Sequence, residues 1–266
     1  KNHFWVNFSM KIFHGTKGDF KEFDITGLGA EYGNMGITAG YYFTTSIDEA
    51  CSYAEIKYDN ENLNGQVFEL NIDDIDKSKF IELKYDENCN IVPVDSTKNK
   101  ITKKEIVNIL EKMPDIKDRV LDFMDIEVKR LNNKSVLKQC LFNIAENYID
   151  IFRENYLTGL NYLGNDFASP YSGNNALDIF NKAVQEVTDY IGVKMEYHKG
   201  IEHYVFFDNN EVNKRINHIY TADDINNLIK DLDWQNISRQ ELDKLIVEKI
   251  ERQEKESCEH SQQFKI

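Results

Sequence analysis

None of the four cysteines, Cys51, Cys89, Cys140 and Cys258, stands in a CxxC pair. Their scatter argues against a zinc site or a disulfide framework and makes a reducing compartment the expected setting. No run of 18 apolar residues occurs, so no membrane-spanning helix and no membrane partner are expected. The chain also lacks a Walker lysine motif, a GxSxG element and an HExxH pair. Gly27 and Gly29 begin a glycine pattern, but residue 32 is Tyr and no βαβ unit surrounds them, which rejects a Rossmann dehydrogenase. Basic residues are outnumbered, 32 against 46 acidic, for a net charge of −14. Such a chain gains nothing from generic attraction to nucleic acid, although a local basic groove is still allowed. Residues 1–9 lack the basic head and apolar stretch of a signal peptide. Met10 followed by Lys-Ile-Phe-His reads as a start, with residues 1–9 an upstream extension whose Phe4, Trp5 and Phe8 could dock on the fold. A cytoplasmic location is expected, in the producing cell or in a target cell after delivery.

With 266 residues, 41% of them apolar, the chain can bury a substantial core as one large domain or as a compact domain with an appendage. The abundance of Asn, Lys and Ile fits an AT-rich bacterial or phage gene. Residues 10–95 are rich in Gly, Tyr and Phe, and Val67 to Ile72 alternate as a half-buried strand should. Residues 48–58 read as a short helix, N-capped by Ser46 with Glu49 completing a capping box. From 101 to 192 the period turns helical. Stripes run through Ile106, Ile109, Leu110 and Met113, through Val136, Leu137, Cys140, Leu141 and Ile144, and through Leu177, Phe180, Val184, Val187 and Ile191. Asn132-Asn133 and the 169–173 cluster are the expected breaks. Strand character returns at Tyr204 to Phe207, and residues 221–257 read as two helices, the second capped by Ser238 and Glu241 and carrying a solvated, charged face.

Phe13-His14-Gly15-Thr16, then Gly40-Tyr41-Tyr42-Phe43, then Ala50-Cys51-Ser52-Tyr53-Ala54 form the most specific constellation. A His beside Gly, an aromatic pair after Gly, and a Tyr eleven residues past Tyr42 build a core poorly and suit a flat ring plus a ribose. Each residue alone has a plainer reading: His14 as a strand-end imidazole, and Tyr42 and Tyr53 as core aromatics. Glu196, His198, Glu202 and His203 lie close in sequence, but two histidines five positions apart match no common zinc motif, and no metal is expected.

Taken in order, these residues resemble the histidine–tyrosine–glutamate class of ADP-ribosyltransferases, which includes the poly(ADP-ribose) polymerases and diphtheria-toxin-like enzymes. The likeness is closest to the domains of phage polyvalent proteins and bacterial toxins, through His14 to Thr16, Phe23-Asp24, Gly40 to Thr44 and Ala50 to Ala54. It covers about residues 11–75 and 194–215 and implies an α+β fold, with two small, mostly antiparallel sheets gripping NAD. It also implies a catalytic core at 10–100 and 193–220, a helical insertion at 101–192 and C-terminal helices at 221–266. By resemblance, His14 bonds a ribose hydroxyl, and Gly15 and Thr16 line the nicotinamide site. Tyr42, with Phe43 beside it, and Tyr53 stack on the nicotinamide, and residues 17–40 form a mobile loop along NAD. Ala50 stands where the polymerases carry a serine. Aligned on Asp208 and Val212, the family's glutamate position falls on His203, with Glu202 just before it. Strand neighbours face opposite sides, so Glu202 and His203 remain alternatives for the third role. The implied activity is NAD-dependent mono-ADP-ribosylation of a protein or nucleic acid by an effector, toxin or defence enzyme, with a regulatory or antitoxin partner on the helical insertion. NAD hydrolysis and a catalytically inactive NAD-fold interaction module are the alternatives.

Overall fold

A computed structural model describes residues 10–24, 40–58, 65–87, 91–94, 101–124, 131–154, 156–168, 174–198 and 200–263. Phe4, Trp5, Phe8, Gly27, Gly29 and the 169–173 break lie outside them. The chain is α+β, with eight strands in mixed pairing and nine α-helices among the described residues. It divides into two compact units.

The first unit contains residues 1–22, 43–74 and 214–266. Strands β1 (Lys11–Thr16), β3 (Gln66–Asn71) and β8 (Ile216–Thr221) lie in the order β1-β3-β8, every pairing antiparallel. The end of β2 (Tyr41–Thr44) joins them, with Thr44 opposite Phe13. Helices α1 (Ile47–Tyr53), α8 (Ala222–Ile229) and α9 (Arg239–Gln263) share one core with this sheet. Phe13 and Val67 enter it from the strands, Ile47, Ala50 and Ala54 from α1, Ile225 and Leu228 from α8, and Leu242, Ile246 and Ile250 from α9. Each large apolar side chain buried this way stabilises the unit by roughly 1.5–3 kcal/mol.

The alternation expected for β3 carries a correction. Its polar member, Glu69, is 0% exposed rather than solvated, because α9 covers the face that the pattern assigns to water. The Glu69 carboxylate accepts from Lys11 Nζ at 3.0 Å, Asn217 Nδ2 at 2.6 Å and the Tyr220 hydroxyl at 2.8 Å. Glu254 of α9 meets the same ammonium at 2.7 Å. A buried carboxylate is tolerable only with such partners. Burial, and after it the nearby Glu69 charge, push the Tyr220 hydroxyl pKa upward.

The second unit contains residues 23–42 and 75–213. Strands β4 (Phe80–Tyr85), β5 (Ile91–Pro93), β6 (Gly192–His198) and β7 (Ile201–Phe206) are ordered β5-β4-β6-β7, and the β4–β6 pair is parallel. The helical stretch resolves into α2 (Lys103–Glu111), α3 (Ile116–Met124), α4 (Lys134–Glu154), α5 (Tyr156–Phe167) and α6 (Asn174–Thr188), followed after β7 by α7 (Asn209–Asn213). Helix α2 packs on α4 and α6, and α4 on α5, which buries the stripes read from the sequence except Val136, Leu137 and Val187, which stay half-buried. Two complete capping boxes, Thr102/Glu105 and Thr221/Asp224, start α2 and α8; neither was singled out in the sequence. No helix among the described residues is long and apolar enough to cross a membrane.

Candidate functional site

His14 sits near the end of β1. Phe13 faces the helix-covered core, so strand alternation turns His14 to the opposite face. There its ring lies 5.5 Å from that of Phe43 and 6.2 Å, edge-on, from that of Phe68, on which Phe20 stacks at 4.9 Å. The imidazole is therefore held in a row of aromatic rings and stays half-buried. The segment after it is pinned as well. Gly18 N–H donates to Thr16 Oγ1 at 3.0 Å, and the Gln66 amide donates to the Gly18 and Phe20 carbonyls, each at 2.8 Å.

Gly15 is where β1 touches α1. A Cβ there would lie 1.7 Å from the Ala50 carbonyl oxygen and 3.0 Å from Ala54 N, closer than any side chain can come. One demand for glycine is thus met by the helix, independently of any ligand. Helix α1 is shorter than the expected 48–58: it ends at Tyr53, because Glu55 takes a left-handed backbone with φ 54°. Glu55 N–H bonds Ser52 O and Ile56 N–H bonds Cys51 O, closing the last turn. Tyr53 consequently stands at the helix end, 50% exposed, so the plainer reading of it as a core aromatic does not hold.

The start of α1 is built from polar side chains. Glu49 N–H donates to Ser46 Oγ at 3.0 Å, the expected cap. The Glu49 carboxylate accepts the Thr44 hydroxyl at 2.5 Å, while Ser46 N–H donates to Thr44 Oγ1. Asp243 of α9 accepts from Ser46 Oγ at 2.7 Å and from Asp48 N–H at 2.8 Å, a carboxylate at a helix N-terminus. Burial, together with the charges of Asp48 and Glu49, pushes the Asp243 carboxyl pKa above its usual range. Asp48 in turn accepts the Tyr58 hydroxyl at 2.6 Å and faces Arg239 at 3.4 Å. Buried Cys51 has its thiol pushed up to about 12, chiefly by burial, which leaves it a poor nucleophile.

The remaining predicted residues belong to the second unit. Tyr42 follows Tyr41 on β2 and is half-buried. Gly40, just ahead, allows close packing: a Cβ there would sit 2.5 Å from a Val205 methyl and 2.7 Å from the Phe206 carbonyl oxygen. Glu202 and His203 are adjacent on β7 and point to opposite faces. Glu202 Oε1 lies 2.7 Å from Lys194 Nζ on β6, and Oε2 accepts the Tyr204 hydroxyl at 2.8 Å. His203 is only 4% exposed and stands opposite Met195. Glu196 faces Glu202 across the strands and accepts from Gly200 N–H at 3.3 Å. Among the described residues no cluster of three His, Cys, Asp or Glu could hold a metal ion.

His14, Gly15, Thr16, Phe43 and Tyr53 thus belong to one compact unit, and Tyr42, Glu202 and His203 to the other. The buried Lys11–Glu69 pair and the Asp243 contact with α1 carried no local sequence signal, since both depend on a helix about 200 residues away. No protein family, curated protein or solved structure matches this chain.

Proposed function

We propose that this chain is an NAD-dependent mono-ADP-ribosyltransferase acting on a macromolecular acceptor. The observation that carries the reading is local to one unit. An imidazole is fixed between Phe43 and Phe68 beside a glycine seated on α1, and that helix ends in a half-exposed tyrosine. A fixed imidazole suits a ribose hydroxyl, and an accessible phenol ring suits stacking on a planar pyridinium.

In the reaction the bond between ribose C1′ and the pyridinium nitrogen breaks, and nicotinamide leaves neutral with the electron pair. The acceptor's lone pair then bonds C1′, and the acceptor's displaced proton passes to solvent. Positive charge on the ribose peaks between these events, so a carboxylate nearby stabilises the transition state. Glu202 is assigned that part. It keeps partial solvent contact while its neighbour His203 is buried, which favours the carboxylate over the imidazole. Tyr42 is assigned to the nicotinamide face by the same resemblance.

The test is nicotinamide release from labelled NAD by the purified chain, with and without cell lysate. Release that requires lysate, with label appearing on protein or nucleic acid, supports the transferase. Release without acceptor makes the protein an NAD glycohydrolase. NAD affinity without release makes it a binding module, and neither affinity nor release removes NAD altogether.

A further inference from the structure

Lys194 Nζ lies 2.7 Å from Glu202 Oε1 and 3.8 Å from Glu82 Oε1, with side chains only 18% exposed for Lys194 and 27% for Glu202. The three groups sit on three neighbouring strands. Glu82 of β4 stands directly opposite Lys194 of β6, and Lys194 stands directly opposite Tyr204 of β7. Glu202, two residues before Tyr204, shares that face. The Tyr204 hydroxyl takes the other oxygen of Glu202 at 2.8 Å, and its ring is wedged edge-on against Phe80 at 5.2 Å. Both oxygens of the carboxylate are therefore engaged, by one charged donor and by one donor whose ring is fully buried against Phe80.

An ordinary sheet-stabilising pair has no need of this arrangement. An exposed cross-strand pair contributes little, because both chains stay free and water screens them. Here the ammonium is largely sheltered and stands much nearer Glu202 than Glu82, whose side chain is 47% exposed. Such a contact sets which way Glu202 points.

We infer that Lys194 is a positioning residue for the Glu202 carboxylate. This rests on the reading of Glu202 as the carboxylate that serves ADP-ribosyl transfer. Lys194 touches no substrate; it acts through Glu202, with Tyr204 holding the second oxygen. Misplacing a charge at a reacting centre by about an ångström costs on the order of 100-fold in rate. A positively charged replacement that still reaches the carboxylate preserves most of it.

The experiment uses the full chain and measures kcat and KM for nicotinamide release, NAD affinity by calorimetry, and thermal midpoints. Variants are Lys194→Met, Lys194→Arg, Glu82→Gln, Glu202→Gln and the double variant Lys194→Met/Glu202→Gln. Lys194→Met should lower kcat about 10- to 100-fold with NAD affinity unchanged, and Lys194→Arg should recover most of the loss. Glu82→Gln should be neutral, and the double variant no slower than Glu202→Gln alone, because both changes remove one function. If Glu202→Gln is impaired while Lys194→Met keeps its kcat and loses only thermal stability, the pair is structural and the positioning role fails. Additive losses in the double variant also overturn it. If the wild type releases no nicotinamide, or Glu202→Gln is fully active, the reading of Glu202 fails first and takes this role with it.

Discussion

Replacing Lys11 with Met tests the most deeply buried charge of the first unit. Glu69 is fully buried, and Lys11 Nζ lies 3.0 Å from it with its own side chain 3% exposed. Methionine fills the same volume and removes the ammonium. Glu69 then keeps the Asn217 and Tyr220 donors but loses this counter-ion, and breaking a buried pair from one side costs about 3–5 kcal/mol. Against a typical total of roughly 5–15 kcal/mol, that is a large share of what holds the unit together. Urea unfolding should show it, with hydrogen exchange of the β1 and β3 amides accelerated. Adding Glu69→Gln to Lys11→Met should recover at least half the loss, because the amide keeps an acceptor for Tyr220 without a buried charge. Glu254→Gln should cost only about 0–1 kcal/mol, since that side chain is 43% exposed. A loss below about 1 kcal/mol for Lys11→Met would mean that water reaches Glu69 in solution. Helix α9 would then not be a tight cover on this sheet.

Gly15→Ala puts a methyl against the Ala50 carbonyl, a backbone atom that no rotamer change can move aside, and should cost about 1–3 kcal/mol or more in a denaturant melt. Tyr53→Ala should leave the unfolding free energy within about 0.5 kcal/mol of wild type, since the ring is half-exposed, while weakening NAD binding up to about tenfold by calorimetry. Unchanged affinity would separate Tyr53 from the ligand. The raised Asp243 pKa gives a pH dependence of defined sign. The folded chain holds this proton more tightly than the unfolded chain does. The resulting stability is therefore fully present below the unfolded value of 3.8 and is lost as pH rises through the raised folded value. The urea midpoint of wild type minus that of Asp243→Asn should fall with rising pH across that window; a flat difference refutes the assignment.

Local patterns exposed some levels of this structure and hid others. The helical stripes around Ile106, Cys140 and Phe180 mark elements whose apolar faces are buried, because a 3.6-residue period needs nothing beyond its own segment to be visible. The Ser46 cap is equally local, yet Glu49 turns to Thr44 rather than completing the box, a choice made by the strand end beside it. Tyr58, expected inside the first helix, instead bonds Asp48, since the helix ends at Tyr53, ahead of the left-handed Glu55. Glu69 misled the alternation rule because the burying surface comes from α9. At the candidate site the row His14–Phe43 follows from strand pairing at Phe13/Thr44. The ion pair of Glu202 could not be foreseen, because Lys194 sits on a neighbouring strand whose register only the fold defines.

The interrupted make-up of the first unit bears on how the protein matures. Strands β1 and β3 leave the ribosome ahead of β8 and α9, which shield Glu69 and brace α1 and are translated only after residue 214. Elongation at about 5–20 residues per second leaves the nascent β1 and β3 waiting for many seconds without their cover. The imidazole-bearing strand therefore acquires its final surroundings only after residue 214 has been made, and a ribosome stalled before that point would display a chain whose first unit is still incomplete.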